Sequence, residues 1–275
     1  MPEGPEIKRA ADKLAAVIQN EPALLVEFAF PHLQQQAGNL TGQTIHKVES
    51  RGKAMLIHFA NEQTIYSHNQ LYGKWAILEK NERPRPSLQV RIAIHTRRQV
   101  AVLYSASEIE VLYTARFTEH PYIAKLGVEL LAEATTQMDV LTQINQPRFA
   151  RKNLAAILLD QTFLAGIGNY LRSEILFFAK IHPEARISEL TPARRLALAK
   201  AAIDITQQSY RTAGITNNLA VANRMKAAGK SFGQYRHWVF DREGGGCYRC
   251  QNKIVRTNVT GRGLYWCSHC QPGQL

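Results

Sequence analysis

Leu158-Leu159-Asp160-Gln161-Thr162-Phe163-Leu164-Ala165-Gly166-Ile167-Gly168-Asn169-Tyr170 sets a Gly-x-Gly turn between two apolar segments. Apolar spacing predicts helices over 154–161 and 169–180 on either side. Glycine at 166 and 168 permits positive φ and close backbone approach. The first amides of a helix have no intrahelical acceptor, so those opening the second helix are expected to point outward unpaired. Such amides form a cradle for a phosphate, and Asn169 adds a side-chain donor. A tight helix–helix turn with no ligand explains the same glycines, so the surroundings must decide.

Charge is the first of those surroundings. The 275-residue chain has a formal net charge of +12, unevenly spread. Residues 1–134 hold 15 Lys and Arg against 14 Asp and Glu, a net of +1; residues 135–275 hold 19 against 8, a net of +11. Solubility alone does not segregate charge in this way. A positive excess confined to one half is the footprint of a polyanion partner, with nucleic acid favoured over a membrane surface.

Onward from the turn, Thr191-Pro192 is an N-cap followed by a first-turn proline and starts a helix extending to about Tyr210. A polar segment over 214–233 leads to the four cysteines of the chain, Cys247, Cys250, Cys267 and Cys270. Their C-x2-C-x16-C-x2-C pattern has the spacing of a tetrahedral zinc site, with a β-hairpin joining the two pairs. Disulfides are the alternative; a reducing cytosol disfavours them. Four thiolates leave no open position for water, so one structural Zn2+ is expected. Gly261-Arg262-Gly263 is expected at the hairpin tip, where Arg262 is either a forked phosphate donor or an ordinary solvated residue.

Upstream, the character is β-rich. Strands are expected over 25–30, 45–49, 55–59, 64–67, 74–78, 90–95 and 100–104, where Val90, Ile92 and Ile94, then Val100, Val102 and Tyr104, alternate cleanly. Seven short strands imply an antiparallel sandwich. An amphipathic helix over 5–19 precedes them, with Ile7, Ala10, Ala11, Leu14 and Ile18 on one face. The fold class is α+β in two domains: 1–132 for the first helix and β-sandwich, 136–233 for a helical domain, and 234–271 for a zinc finger. No run approaches the ~18 apolar residues of a membrane span, and no secretory signal is visible, so a cytosolic, monomeric protein is expected.

The chain start, Pro2-Glu3-Gly4-Pro5-Glu6, carries a possible chemistry. Removal of Met1 leaves Pro2 with a terminal secondary amine, which can attack a sugar carbon and form an iminium ion. A terminal amine titrates near ~8, so part of it is uncharged at neutral pH. Glu3 is a neighbouring acid, and Glu6 follows. A helix-starting Pro-Gly-Pro segment with no catalytic role explains these residues too.

Taken together, Met1-Pro2-Glu3-Gly4-Pro5-Glu6, Gly166-Ile167-Gly168-Asn169 and the four-cysteine finger resemble the formamidopyrimidine-DNA glycosylase and endonuclease VIII family. The resemblance spans essentially the whole chain. Tyr66-Ser67-His68-Asn69-Gln70-Leu71-Tyr72-Gly73 looks closer to the endonuclease VIII branch, whose Gln-Leu-Tyr wedge fills the gap left by a flipped base. The family likeness implies a β-sandwich and a helix-two-turns-helix domain with a zinc finger, with damaged double-stranded DNA in the cleft between them.

The resemblance also implies roles. Pro2 would attack C1′ and displace the base, and Glu3 would protonate or stabilise the opening sugar. Lys53, in Ser50-Arg51-Gly52-Lys53-Ala54, would assist proton transfer and hold a phosphate, although a surface lysine in a strand turn is the commoner case. Arg262, Gly168 and Asn169 would grip phosphates, and Glu6 would be a second acid near the site. Leu71 and Tyr72 would wedge into the stack while Gln70 bonds the orphaned base; strand core is the alternative, more so for Tyr72 than for Gln70. Lys125 departs from the pattern, standing where an arginine contact is typical, which keeps the charge but loses the fork. The expected activity is a bifunctional glycosylase and abasic-site lyase for oxidised pyrimidines, proceeding by β,δ-elimination. An oxidised-purine glycosylase of the same fold and a non-catalytic zinc-ribbon nucleic-acid binder are the alternatives.

Overall fold

A computed structural model describes residues 2–273. The chain forms two compact units. Among the described residues, Pro2 with Glu6–Ala124 belongs to the first, and Glu3–Pro5 with 125–273 to the second.

Helix α1 (Gly4–Ile18), in the first unit from Glu6 onward, is followed by β1 (Leu25–Phe28), α2 (Gln34–Leu40), β2 (Ile45–Arg51), β3 (Ala54–Phe59) and β4 (Gln63–His68). Then come β5 (Lys74–Glu79), β6 (Val90–His95), β7 (Gln99–Tyr104) and β8 (Glu108–Tyr113). Two antiparallel four-stranded sheets result, ordered β1-β6-β7-β5 and β2-β3-β4-β8. Their inward residues, among them Met55, Ile57, Ile65, Ile92, Ile94, Ala101 and Leu103, share one core with Ala11, Leu14 and Ile18 of α1. The period-2 and period-3.6 patterns meet there because each element must bury its apolar side against another. Strand β8 was absent from the sequence expectation, though Ile109 and Val111 alternate with Glu108 and Glu110 in it.

The second unit contains β9 (Val128–Glu129), α3 (Gln137–Ile144), α4 (Leu154–Ile157), β10 (Leu164–Ala165), α5 (Asn169–Phe178) and α6 (Pro192–Arg211). It continues with α7 (Leu219–Ala227), α8 (Phe232–Tyr235), β11 (Ile254–Val259) and β12 (Arg262–Cys267). Thr191 caps α6 as expected, accepting from the Arg194 N–H at 3.3 Å. Two expectations need correction. The helix expected over 154–161 ends at Ile157, and residues 164–165 pair in parallel with β9 instead. Asp160 turns the chain by accepting from the Thr162 N–H at 2.9 Å, a local bond that competes with helix. The segment over 214–233 is not merely polar linker, because Asn218 caps α7 through the N–H groups of Ala220 and Val221. The core of this unit joins α3, α4, α5 and α6 and takes in Leu264 from β12.

Candidate active site

The N-terminus of α5 is closed by a side chain from the far end of the sequence. Glu3, 3% exposed, accepts from the backbone N–H of Gly168 at 2.8 Å, Tyr170 at 2.8 Å and Leu171 at 3.1 Å. The Gly4 N–H adds a bond to the Gly166 carbonyl at 2.8 Å. These amides, expected to face outward unpaired, are bonded to a carboxylate, which the positive end of a helix dipole favours. Backbone donors to both oxygens favour the anionic form of Glu3. The charge type that the turn was expected to attract is therefore supplied from within the chain.

Asn169, at the first turn of α5, donates from Nδ2 to the Gly263 carbonyl at 2.8 Å and accepts at Oδ1 from Arg172 Nη2 at 2.6 Å. Arg172 is fully buried and was not singled out in the sequence. Its guanidinium donates to the Ala155 carbonyl at 2.8 Å and reaches the Gly263 carbonyl at 3.4 Å. Burial, with the like charge of Arg262 and against the attraction of Glu3, lowers its pKa to about 10, so it stays cationic at neutral pH. A turn formed by Thr260 and Gly261, both at positive φ, is the hairpin tip, and Arg262 is the first residue of β12. Its expected place at the tip is thus shifted by one position, and it is exposed. Arg172, Asn169 and Arg262 converge at the meeting of α5 and β12.

Deeper along α5, Glu174 is fully buried and accepts from the N–H groups of Trp238 and Val239 at 2.8 Å and Phe240 at 2.9 Å. Thr216 donates to the same carboxylate and bonds His237 Nδ1 at 2.9 Å. Burial pushes Glu174 above its usual range, against the pull of these donors. Tyr170 stacks on His237 with ring centroids 5.1 Å apart and bonds Ser209 through its hydroxyl at 2.9 Å. Neither Glu174 nor His237 carries a sequence signal, because both act through long-range partners.

The ligand atoms of Cys247, Cys250, Cys267 and Cys270 lie within 4.8 Å of one another. Cys247 and Cys270 sulfurs are 3.9 Å apart and those of Cys250 and Cys267 3.5 Å. Sulfurs about 2.3 Å from a tetrahedral metal stand roughly 3.8 Å apart, so the donor set fits a structural metal site. All four are free thiols rather than disulfides.

In the first unit, Lys53 occupies the β2–β3 turn after Gly52, whose φ is +56°. It is 8% exposed, which removes the surface-lysine alternative, and its backbone N–H donates to Tyr122 Oη at 2.9 Å. The sheet register sets Ala54, His68 and Glu108 side by side. Burial lowers the His68 pKa, Glu108 opposes the shift, and Lys53 adds to it. Past β4, Leu71 is 52% and Tyr72 76% exposed, which rules out core packing for both. Gln70, at φ +47°, bonds Glu108 and Ser107 through its side chain. Glu6 lines a cleft of about 410 Å³ with Arg9, Lys13, Lys74 and Trp75. Pro2 is half-buried, and Lys125 is exposed in the second unit. Met1, whose removal would free the Pro2 nitrogen, lies outside the described residues.

Two family models match, the formamidopyrimidine-DNA glycosylase N-terminal domain over residues 1–106 and its H2TH domain over 126–220. The chain is 42% identical over 271 residues to Endonuclease 8 of Salmonella paratyphi B, covering 98% of this chain and 100% of that protein. Endonuclease 8 of Pectobacterium atrosepticum is 41% identical with the same coverage. Lactococcus lactis Fpg bound to N7-benzyl-Fapy-dG DNA superposes with a TM-score of 0.82 at 24% identity, covering 99% of this chain and 100% of that one. The same enzyme with abasic-site DNA gives 0.81 at 23% identity over 98% of this chain and 100% of that one. No described helix is long and apolar enough to cross a membrane. With motifs, fold and full-length similarity in agreement, the chain belongs to the formamidopyrimidine-DNA glycosylase and endonuclease VIII family, whose members are bifunctional DNA glycosylases and abasic-site lyases.

Proposed function

We propose that this enzyme acts as a monomer on damaged duplex DNA, excises oxidised pyrimidines and cleaves the resulting abasic site through a covalent intermediate at Pro2. The observation that carries this reading is the anchoring of Glu3: three backbone donors fix a carboxylate one peptide bond from Pro2. With Met1 removed, the Pro2 nitrogen attacks C1′, the bond from C1′ to the base breaks, and the base leaves with a proton. The C1′–O4′ bond then opens, O4′ takes a proton from solvent, and the product is a ring-opened iminium with no N–H, whose charge the Glu3 carboxylate stabilises. This supports the stabilising role over proton donation, since three backbone donors at a helix N-terminus favour a carboxylate over a carboxylic acid.

Loss of a C2′ proton then expels the 3′ phosphate, and a second elimination expels the 5′ phosphate. Lys53, with its stem buried in the β2–β3 turn, is assigned to the proton transfers, and Arg262 to the second elimination. Asn169 and Lys125 are assigned to the DNA backbone and Glu6 to the surroundings of the site, whereas Gly168, whose N–H is taken by Glu3, gives the close approach that seats that carboxylate rather than a phosphate contact. Extrusion of the base is assisted by Leu71 and Tyr72, whose exposure leaves apolar surface free to enter the stack, and Gln70 bonds the orphaned base. The pyrimidine preference is supported by Gln70-Leu71-Tyr72 and by the similarity to Endonuclease 8. Zinc held by the four cysteines would stabilise the hairpin that carries Arg262.

Borohydride trapping on an abasic oligonucleotide tests the nucleophile. Wild type should cross-link and Pro2→Gly should not; a full-strength adduct in the variant would refute the assignment. Excision of thymine glycol ahead of 8-oxoguanine from matched duplexes is the expected lesion order, and the reverse order would move the enzyme to the purine alternative.

A further inference from the structure

Both ends of the Gln70 side-chain amide are already engaged. Nε2 donates to Glu108 Oε2 at 2.8 Å, and Oε1 accepts from Ser107 Oγ at 3.0 Å. The Gln70 backbone N–H donates to His68 Nδ1 at 3.1 Å, and its φ of +47° is one that side chains other than glycine rarely adopt. Glu108 is in turn fixed, since its other oxygen accepts from the hydroxyl of the fully buried Tyr66 at 2.9 Å and it pairs with His68 across the sheet. Directly after Gln70 stand the exposed Leu71 and Tyr72. A constrained glutamine clasped by Ser107 and by Glu108, the first residue of β8, thus directly precedes two exposed apolar side chains.

We infer that Ser107 and Glu108 form a latch on Gln70 that an orphaned base must open. The inference rests on the insertion role proposed above for Gln70-Leu71-Tyr72. The amide has one donor end and one acceptor end, and a base can bond them only if both leave their present partners. A base still paired in the duplex has its edge occupied and offers no replacement, so the latch stays closed. A base whose partner has been extruded presents a free donor and a free acceptor, and the exchange then costs little. Ser107 and Glu108 are positioning residues that act through Gln70 and tie insertion to the presence of a gap opposite.

Equilibrium binding to two duplexes tests this, one intact and one containing tetrahydrofuran, which has no leaving group at C1′. Ser107→Ala and Glu108→Ala should each tighten binding to the tetrahydrofuran duplex by about three- to tenfold, the range expected for one exchanged hydrogen bond. Binding to the intact duplex should stay unchanged. Both gains should vanish in a Gln70→Ala background. Equal tightening on both duplexes would mean only the loss of a negative charge, and weakening on the tetrahydrofuran duplex would mean that the clasp prepares Gln70 for insertion; either overturns the latch. Ser107 is exposed, so its variant remains informative if Glu108→Ala disturbs Tyr66. If Gln70→Ala weakens tetrahydrofuran binding while Ser107→Ala leaves it unmoved, the latch alone fails. If Gln70→Ala and Leu71→Ala leave it unmoved, the insertion role fails and the latch with it.

Discussion

The carboxyl group of Glu3 occupies the space that any side chain at Gly168 would need: a Cβ there would lie 2.4 Å from Glu3 Cδ and 2.5 Å from Oε1. Gly168 has an extended backbone, so close approach rather than φ explains the glycine. Gly168→Ala should expel Glu3 from the helix end and lose charge-assisted bonds worth about 1.5–3 kcal/mol each in such settings. The variant should melt at lower temperature and trap an abasic oligonucleotide at least about tenfold more slowly, while its helix content is retained. Normal trapping would show that the helix cap and the chemistry are independent.

Arg262 and Asn169 should separate in a salt titration. An exposed arginine that displaces one counterion from DNA contributes about one unit to the slope of log affinity against log salt. Arg262→Ala should therefore lower that slope by about one. Asn169 already bonds Gly263 and Arg172, so Asn169→Ala should weaken binding through displacement of the β12 start, with a smaller change in slope. Identical slopes for the two variants would contradict this division.

Removal of metal from the cysteine cluster should unfold the hairpin and leave most helix in place, because the core joining α3, α5 and α6 is built largely from other residues. Strong chelation or Cys270→Ser should reduce DNA affinity by at least about tenfold through loss of the Arg262 platform. Far-UV circular dichroism and binding to a labelled duplex measure the two effects. A complete collapse of helical signal would show that the finger is needed for the whole unit to fold.

His237 provides a pH test. Burial, with Arg236 and Arg242 nearby, holds its pKa well below the usual 6.5. The unfolded chain therefore binds this proton more readily, and the contribution to stability is complete above about pH 6.5 and is lost as pH falls below it. The urea midpoint should drop as pH falls below about 6.5, and the His237 ring resonance should titrate below that usual value. A normal titration of that resonance near 6.5 would refute the burial argument.

The legible parts of this protein were those whose information is local. Cys247, Cys250, Cys267 and Cys270 declare a set of four metal-ligand candidates through spacing alone, and Thr191-Pro192 marks the start of α6 because capping involves only neighbouring residues. Alternating apolar residues announce most strands, and Glu108–Tyr113, which carries the same pattern, forms β8 beyond the seven expected. Pro2, Glu3 and the Gly-Ile-Gly turn were visible as separate motifs.

Their partnership was decided only in three dimensions. The Glu3 bond to Gly168 spans 165 residues of sequence, and no local rule indicates which acceptor will satisfy the first amides of α5. The buried Arg172 and Glu174 look in sequence like any charged residues on a helix, because their cost and their compensation both come from distant backbone groups. Periodicity and spacing therefore specified the elements and the metal ligands, whereas packing chose the hydrogen-bond partners, since a buried polar group must be satisfied by whatever the folded chain brings within reach.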